Sequence, residues 1–142
     1  MIKPKKPEFF KPKDLGKRDW GKEELLAFSS KKWMMKKLFI KKGSKGGLQY
    51  HHLKDEGGFI VYGSMLVRFD DGNGCLTSKI LKEGSSFRFP PSCIHQEEAL
   101  TDVLIIECST PHLNDRVRVE ERYDESSFEG LPSTNIEDIK II

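Results

Sequence analysis

The sequence predicts a single all-β domain built as a sandwich or a barrel. Its 142 residues fit one domain with a core of its own. Short apolar or alternating segments follow one another, and clusters of Gly, Pro, Asn, Asp and Ser separate them at close spacing. No long segment between them shows the 3.6-residue period of an amphipathic helix. Short strands at such spacing are typical of β-sandwiches and β-barrels.

The two ends of the chain differ from the segment between them. Residues 1–17 contain three prolines and six lysines, and proline repeatedly breaks a helix. We therefore expect a basic, irregular arm over residues 1–19 and the β domain over residues 20–122. Residues 123–142 are expected to form an irregular C-terminal tail, loosely ordered or docked on the surface, because they contain Ser, Gly and Pro before an apolar end.

Nine segments of the domain are predicted to be strands. In chain order they cover residues 25–28, 33–40, 48–53, 59–62, 65–69, 76–81, 87–89, 94–99 and 103–108. The alternating segment 116–120 is predicted to add an edge strand. The run Asp71-Gly72-Asn73-Gly74 is the strongest hairpin signal in the sequence, since Asp-Gly and Asn-Gly pairs favour tight turns between strands.

Composition excludes several classes of protein. No apolar run approaches the ~18 residues that a membrane-spanning helix needs, and no apolar stretch follows the charged N-terminus as in a secretory signal. The three cysteines, Cys75, Cys93 and Cys108, have no C-x-x-C spacing. This argues against a disulfide framework and against a structural zinc site, and it favours a reducing compartment. We therefore expect a cytoplasmic protein without a membrane partner.

The charge is distributed unevenly along the chain. Residues 1–54 carry 16 basic and 5 acidic side chains, whereas residues 55–142 carry 8 basic and 17 acidic ones. Most of the basic residues are lysines, and neither a recognition helix nor an aromatic stacking platform accompanies them, so no nucleic-acid partner is expected. The basic half remains compatible with a solvated, edge-protecting surface or with attraction of anionic small molecules.

Four polar side chains have the spacing of a metal site. Gln49 and His51 lie two residues apart in a predicted strand and therefore face the same way. Glu56 follows across the next turn, and His95 begins a distant strand. Two imidazoles, one carboxylate and one amide oxygen suit Zn, Mn, Fe or Ni better than Ca or Mg. The sequence thus predicts a divalent metal ion held by these four residues.

Four more residues are candidates for substrate chemistry. Tyr62 shares strand parity with Glu56, so a regular strand would place Tyr62 in the pocket. Glu107 is predicted to exchange a proton with the substrate, and Tyr62 is the second catalytic candidate. Arg88 and Lys36 are predicted to bind an anionic group, for which arginine is the better bidentate partner.

Two motifs resemble those of the cupin superfamily. Gly43-x5-Gln49-x-His51-x4-Glu56-x6-Gly63 resembles the first cupin motif, and Gly84-x5-Pro90-x-Ser92-x2-His95 resembles the second. The resemblance covers roughly residues 20–120 and implies a double-stranded β-helix, the cupin jelly-roll barrel, with a small-molecule pocket in its mouth. Cupins of this kind are commonly dimers, so a homodimer is expected, to which the basic arm could contribute by crossing to a neighbour.

The departures from these motifs narrow the resemblance. Gln49 replaces the first histidine of the usual pair, Ser92 replaces a common glycine, and Ala99 stands where asparagine is frequent. The variant Gln49-Tyr50-His51-His52 is similar to the cupin domain of type II mannose-6-phosphate isomerases, as are Trp20-Gly21, the run from Glu107 to Pro111 and the run from Asp115 to Arg118. This similarity implies a sugar or sugar phosphate as the substrate.

Three functions follow as hypotheses. The first is a metal-dependent isomerase or epimerase of carbohydrate metabolism that moves a proton between adjacent carbons of a sugar or sugar phosphate. The second is an Fe(II)-dependent dioxygenase, because two histidines and one carboxylate can form a facial set of ligands. The third is a non-catalytic sugar-binding or regulatory cupin, which the altered first motif favours.

Overall fold

A computed structural model describes residues 1–113, 115–119 and 125–128, with Lys17 and the last four residues described by their backbone alone. The described residues contain twelve strands and no helix. In chain order the strands are β1 (Lys13–Arg18), β2 (Gly21–Ser29), β3 (Trp33–Ile40), β4 (Gln49–His51), β5 (Glu56–Tyr62), β6 (Ser64–Asp70), β7 (Leu76–Lys82), β8 (Ser86–Phe89), β9 (His95–Ala99), β10 (Val103–Ser109), β11 (Arg116–Val119) and β12 (Glu125–Phe128).

The strands form two six-stranded sheets. The first has the order β1-β2-β3-β10-β5-β8, and the second has the order β12-β11-β4-β9-β6-β7. All the pairs are antiparallel. The predicted all-β jelly roll is therefore confirmed, and each of the ten predicted strands overlaps an observed one.

The core lies between the sheets because inward and outward side chains alternate along each strand. In β10, Val103 and Ile105 are fully buried, and Glu107 follows at the next inward position. The main apolar cluster combines these two residues with others from both sheets: Ile60, Met65, Val67, Leu81, Phe89 and Ala99. A second cluster around Leu25 and Met34 lies farther along β2 and β3. The polar inward positions, such as Glu107, lie between the two clusters.

The predicted hairpin is present between β6 and β7. Asp70 pairs with Leu76 at the end of the ladder, and the Asp70 carboxylate accepts hydrogen bonds from the amides of Gly72 (2.6 Å) and Gly74 (3.2 Å). Both glycines have a positive φ, which such a turn requires.

Two strands lie where irregular ends were expected. β1, inside the predicted arm, pairs with β2, with a bulge between Asp14 and Lys17. It is an edge strand with little apolar content, so its pairing rests on the backbone and leaves a weak sequence signal. β12, inside the predicted tail, pairs with β11. The remainder of that tail lies outside the described residues.

Three further observations concern the cysteines, the helices and the basic arm of the described chain. Cys75, Cys93 and Cys108 are all free. Nowhere in residues 1–113, 115–119 and 125–128 is there a helix that could cross a membrane. In the arm, the ring of Phe10 lies 5.2 Å from that of Phe28, so this part of the arm packs on its own chain.

Candidate metal centre

Three of the predicted ligands meet at one point inside the jelly roll. His51 ends β4, Glu56 begins β5 and His95 begins β9, and one ligand atom from each lies within 4.8 Å of the others. Glu56 Oε1 is 3.7 Å from His51 Nε2 and 3.6 Å from His95 Nε2. Atoms bound to one ion at about 2.0–2.2 Å have separations of this order.

The fourth predicted ligand, Gln49, faces the same space. β4 pairs with β9 through Gln49 and His95, which lie directly opposite each other. Opposed residues in an antiparallel pair project their side chains to the same face, and His51 follows Gln49 by two residues on that face. The short β4 strand therefore places two ligands beside the one supplied by β9.

Hydrogen bonds fix both imidazoles with Nε2 toward the site. The Asp115 carboxylate is 3.0 Å from His51 Nδ1, and the Cys93 carbonyl is 2.9 Å from His95 Nδ1. Because both partners are acceptors, each Nδ1 carries the proton and each Nε2 offers a lone pair. Burial lowers the pKa of His51 and of His95 to about 4, so both rings are neutral at pH 7, as metal ligands must be. The His95 ring also stacks on Phe89, 4.0 Å between centroids.

Two orphaned atoms show that a cation fits this site. Within the described part of the chain, Gln49 Oε1 and His95 Nε2 are the buried side-chain atoms without a hydrogen-bond partner. Leaving a buried polar atom unsatisfied costs about 1–3 kcal/mol, and native structures rarely tolerate it without a reason. A divalent cation would satisfy both atoms at once. Two imidazole nitrogens, a carboxylate and an amide oxygen are donors suited to a divalent transition metal or zinc.

Lys54 holds the carboxylate ligand in position. Its Nζ lies 2.8 Å from Glu56 Oε2 and 3.1 Å from Glu107 Oε1, and all three side chains are buried. Burial alone would lower the pKa of Lys54, but the two carboxylates raise it above its usual value, so the ammonium stays charged. Lys54 thereby occupies one oxygen of Glu56 and leaves Oε1 directed at the imidazoles. Spacing in the sequence does not identify Lys54, since this residue falls in the variable part of the first motif.

Asp115 is a second residue that spacing alone did not identify. It is almost fully buried and accepts hydrogen bonds from the amides of Leu53 (2.7 Å) and Lys54 (2.9 Å) in addition to His51. Burial by itself would raise the pKa of Asp115, but these bonds hold it below the usual value. Asp115 therefore ties the start of β11 to both the ligand His51 and the turn that leads to Glu56.

The site opens into a cavity of about 770 Å³. The predicted residues Lys36 and Glu107 line it together with Gln49, His51 and Glu56. Lys36 is buried and forms an ion pair with Glu23 at 2.6 Å. Among the described residues, ten charged side chains line the cavity. The cationic ones are Arg18, Lys36, Lys45, Lys54, Arg116 and Arg118, and the acidic ones are Glu23, Glu56, Glu97 and Glu107.

Glu97 is a cavity residue that the pattern of the strand could have revealed. It follows His95 by two residues in β9, and therefore shares its face, with Oε1 3.9 Å from His95 Nε2. Its recessed position and the nearby carboxylates of Glu56 and Glu107 together raise the pKa of Glu97 to about 8.

Two predicted residues lie elsewhere in the described structure. Tyr62 is 41% exposed and does not line the cavity. The β5–β10 register pairs Ile60 with Ile105 but Tyr62 with Leu104, so the extra residue, Val61, forms a bulge that turns Tyr62 outward. The expected parity with Glu56 is broken there, and the placement of Tyr62 in the pocket is wrong.

Arg88 also points away from the cavity. In β8 the alternate residues Phe87 and Phe89 face inward, which leaves Arg88 on the outer face with its side chain 66% exposed. Its guanidinium forms two hydrogen bonds to the Asp55 carboxylate, at 2.9 and 2.8 Å. These bonds hold the pKa of Asp55 below its usual value. Arg88 thus forms a surface ion pair and does not reach the predicted substrate pocket.

Comparison with known sequences gives no match. Neither a protein-family model nor a curated protein sequence matches the chain. Solved structures do match its fold. The capsular polysaccharide assembling protein CapF from Staphylococcus aureus superposes with a TM-score of 0.66 at 18% identity, over 78% of this chain and 35% of CapF. The chain therefore spans about a third of the length of CapF.

Smaller proteins match over most of their length. An RmlC-like cupin from Shewanella frigidimarina has a TM-score of 0.59 at 24% identity, over 75% of this chain and 92% of its own. KdgF from Halomonas sp. has a TM-score of 0.56 at 19% identity, over 71% and 88%. The chain therefore has the cupin fold, as its two motifs predicted, and its His51–Glu56–His95 cluster has the donors of a divalent-metal centre. The similarity to type II mannose-6-phosphate isomerases stays a prediction.

Proposed function

We propose that this protein is a metal-dependent cupin enzyme that isomerises or epimerises a sugar or sugar phosphate. The main support for a bound metal ion is the pair of buried atoms without hydrogen-bond partners, Gln49 Oε1 and His95 Nε2. They lie beside the cluster of His51, Glu56 and His95. A large cavity with acidic and basic walls adjoins this cluster, and such a cavity suits a small polar substrate.

The chemistry requires an electrophile and a group that moves a proton. Gln49, His51, Glu56 and His95 would hold the ion, which when bound supplies Lewis acidity toward a carbonyl or hydroxyl oxygen. Glu107 is the residue that we assign to proton transfer at the neighbouring carbon. Its Oε1 is anchored by Lys54 at 3.1 Å, so the carboxylate keeps one orientation in the cavity wall. The same lysine orients Glu56, which couples the position of the base to that of the ligand set.

The structural relatives support a carbohydrate substrate at the level of analogy. CapF is described as a capsular polysaccharide assembling protein, and it has been solved with the inhibitor 3-isopropenyl-tropolone. A tropolone carries two oxygen atoms on adjacent carbons, as does a hydroxy-ketone sugar. Because this chain corresponds to about a third of CapF, the activity here must be tested directly.

Metal binding is tested first. Chelator-treated protein should take up one equivalent of Zn²⁺, Mn²⁺, Ni²⁺ or Fe²⁺ in calorimetry, and elemental analysis of the purified protein should identify the resident ion. We expect His95→Ala and Glu56→Gln to abolish uptake. His52→Ala is the matched control, since His52 is an exposed histidine next to a ligand and should leave uptake unchanged. Uptake that survives both ligand variants would contradict the site.

Catalysis is tested by hydrogen exchange. In D₂O, the metal-loaded protein should incorporate deuterium at a carbon next to the carbonyl of a substrate from an aldose, ketose and sugar-phosphate panel, followed by NMR. Glu107→Gln should abolish incorporation while metal uptake remains, and the exposed Glu83→Gln should behave as the wild type. A metal-loaded protein that exchanges no proton on any sugar would overturn the proposal.

The alternative reactions give different results in the same preparations. Two histidines and one carboxylate are also the donors of Fe(II) oxygenases, so sugar-dependent oxygen uptake by the iron-loaded protein, lost under anaerobic conditions, would indicate a dioxygenase. Thermal stabilisation by a sugar without exchange or product would indicate a binding protein.

A further inference from the structure

Two arginines of β11 lie directly beside the metal ligands. β11 pairs with β4 so that Arg116 is opposite His51 and Arg118 is opposite Gln49. Directly opposed residues have Cβ atoms about 4.5–5.5 Å apart and project to the same face. Both arginines accordingly line the cavity that holds Gln49 and His51.

The opposite face of β11 anchors the strand. Val117 and Val119 are buried and belong to an apolar cluster with Leu48. A slip of one residue would exchange the valines and the arginines, which the burial of the valines opposes. The alternation of β11 therefore fixes the direction of both guanidinium groups toward the cavity.

The guanidinium group of Arg118 packs against the backbone of Gly47. A Cβ atom at Gly47 would overlap the Nη1 atom of Arg118. Gly47 does not have a positive φ, so its backbone conformation is open to other residues, and the absence of a side chain leaves space for the guanidinium. Position 47 is therefore a place where the guanidinium can be displaced without removing its charge.

The charges of the cavity favour an anionic ligand. Six cationic and four acidic side chains line it within the described residues, and a divalent ion at His51, Glu56 and His95 would add to the positive side. Three of the acidic residues already form ion pairs: Glu23 with Lys36, and Glu56 and Glu107 with Lys54. Among the described lining residues, cationic side chains therefore outnumber acidic ones close to the site where the reaction is proposed.

We infer that Arg116 and Arg118 form a subsite for an anionic group of the substrate, a carboxylate or a phosphate, next to the metal ligands. This inference rests on the proposed function, since it names the class of sugar: a sugar acid or a sugar phosphate rather than a neutral sugar. Guanidinium groups bind both anions through paired hydrogen bonds. The charged end of the substrate would then lie at β11, directly beside the residues that would hold the metal ion.

Binding of galacturonate, mannose 6-phosphate and mannose to the full chain tests this inference, by calorimetry on chelator-treated and on metal-loaded protein. We expect at least one anionic probe to bind at least about tenfold more tightly than mannose, which corresponds to about 1.4 kcal/mol. Its binding should weaken as NaCl is added. Which of the two binds tightly identifies the anion as carboxylate or phosphate.

Three variants and one control make the test specific. Arg116→Gln and Arg118→Gln should each lower the affinity for the anionic probe about tenfold, with metal uptake unchanged. Gly47→Ala should weaken the binding of the same probe, although this substitution keeps every charge of the protein. Lys79→Gln, which removes one positive charge from an exposed site on β7, should bind as the wild type does.

The outcomes separate this inference from the proposed function. Equal affinity for mannose and both anionic probes, no binding of any probe, or variants that bind as the wild type does would overturn the subsite. Proton exchange on a neutral sugar would then still support the isomerase. Conversely, tight binding of an anionic probe that depends on Arg116 and Arg118, without exchange on any sugar, would retain the subsite and overturn the isomerase.

Discussion

Ser92 adopts a backbone conformation that side chains other than glycine rarely accept. Its φ is 68°, and within the described chain Ser92 is the non-glycine residue with a positive φ. The conformation belongs to the turn before His95: the Ser92 amide donates to the His51 carbonyl (2.8 Å) and the Cys93 amide donates to the Pro90 carbonyl (3.1 Å). The same turn places the Cys93 carbonyl against His95 Nδ1. Serine is therefore tolerated where the second cupin motif commonly has glycine, at a cost in strain.

Replacement of Ser92 by glycine should stabilise the fold. The left-handed conformation costs a non-glycine residue about 1–2 kcal/mol, and glycine removes this strain. Glycine also makes the unfolded chain more flexible, which offsets about 0.4–1 kcal/mol of the stabilisation. We expect Ser92→Gly to raise the free energy of unfolding by about 0.5–1 kcal/mol in urea denaturation. Ser86→Gly, in the exposed first position of β8, should lower it instead. A less stable Ser92→Gly protein would contradict the strain.

At the level of secondary-structure elements, β11 holds the metal centre together through Asp115. This carboxylate precedes the first residue of β11 and accepts hydrogen bonds from the Leu53 and Lys54 amides and from His51. The β4–β5 connection, which carries Glu56 into place, is thereby fastened to a strand distant in sequence. Partners of this kind orient metal-bound imidazoles, and their loss lowers metal affinity about 10–100-fold.

We expect Asp115→Asn to affect both stability and metal binding. An amide keeps the size of the side chain, but its NH₂ group faces either the His51 ring or both backbone amides. A buried donor that loses its acceptor there costs about 1–3 kcal/mol. Cation affinity measured by calorimetry should fall about 10–100-fold. Asp102→Asn is the matched control, because Asp102 also accepts a backbone hydrogen bond, from Lys42, but at an exposed site. If Asp115→Asn binds the cation as the wild type does, the carboxylate has no role in orienting His51.

The sequence could predict the ligands because spacing along a strand determines which side chains share a face. Gln49 and His51 satisfy this rule, and the motifs add Glu56 and His95. The rule failed at Tyr62, since the bulge at Val61 depends on the pairing of β5 with β10. Lys54 and Asp115 could not be found by spacing, because their roles arise from contacts between elements far apart in sequence. The alternation of arginine and valine in β11 was visible in the sequence, but the position of this strand beside β4 was not.

For the molecule as a whole, several exposed apolar side chains lie on the outer face of the first sheet. On this face Ile106 of β10 lies opposite Phe59 of β5 and Lys37 of β3. Phe59, Tyr62 and Trp33 are all more than 40% exposed. Apolar side chains that lie together on a surface commonly mark an interface, whereas the opposite face of the same sheet packs into the core. A second copy of the chain is the partner that the expected homodimer would place there.

We expect the protein to be a homodimer at micromolar concentration, with the outer face of the first sheet buried between the subunits. Light scattering coupled to size exclusion should give twice the 16.3 kDa mass of the chain. Phe59→Lys should give a monomer, because it places a charge in the centre of the apolar face, where it would have to be desolvated on association. Ile80→Lys is the matched control, since Ile80 is an equally exposed apolar residue on β7 of the other sheet. A monomeric wild type would contradict the predicted dimer. If only Ile80→Lys gave a monomer, the interface would instead lie on the second sheet.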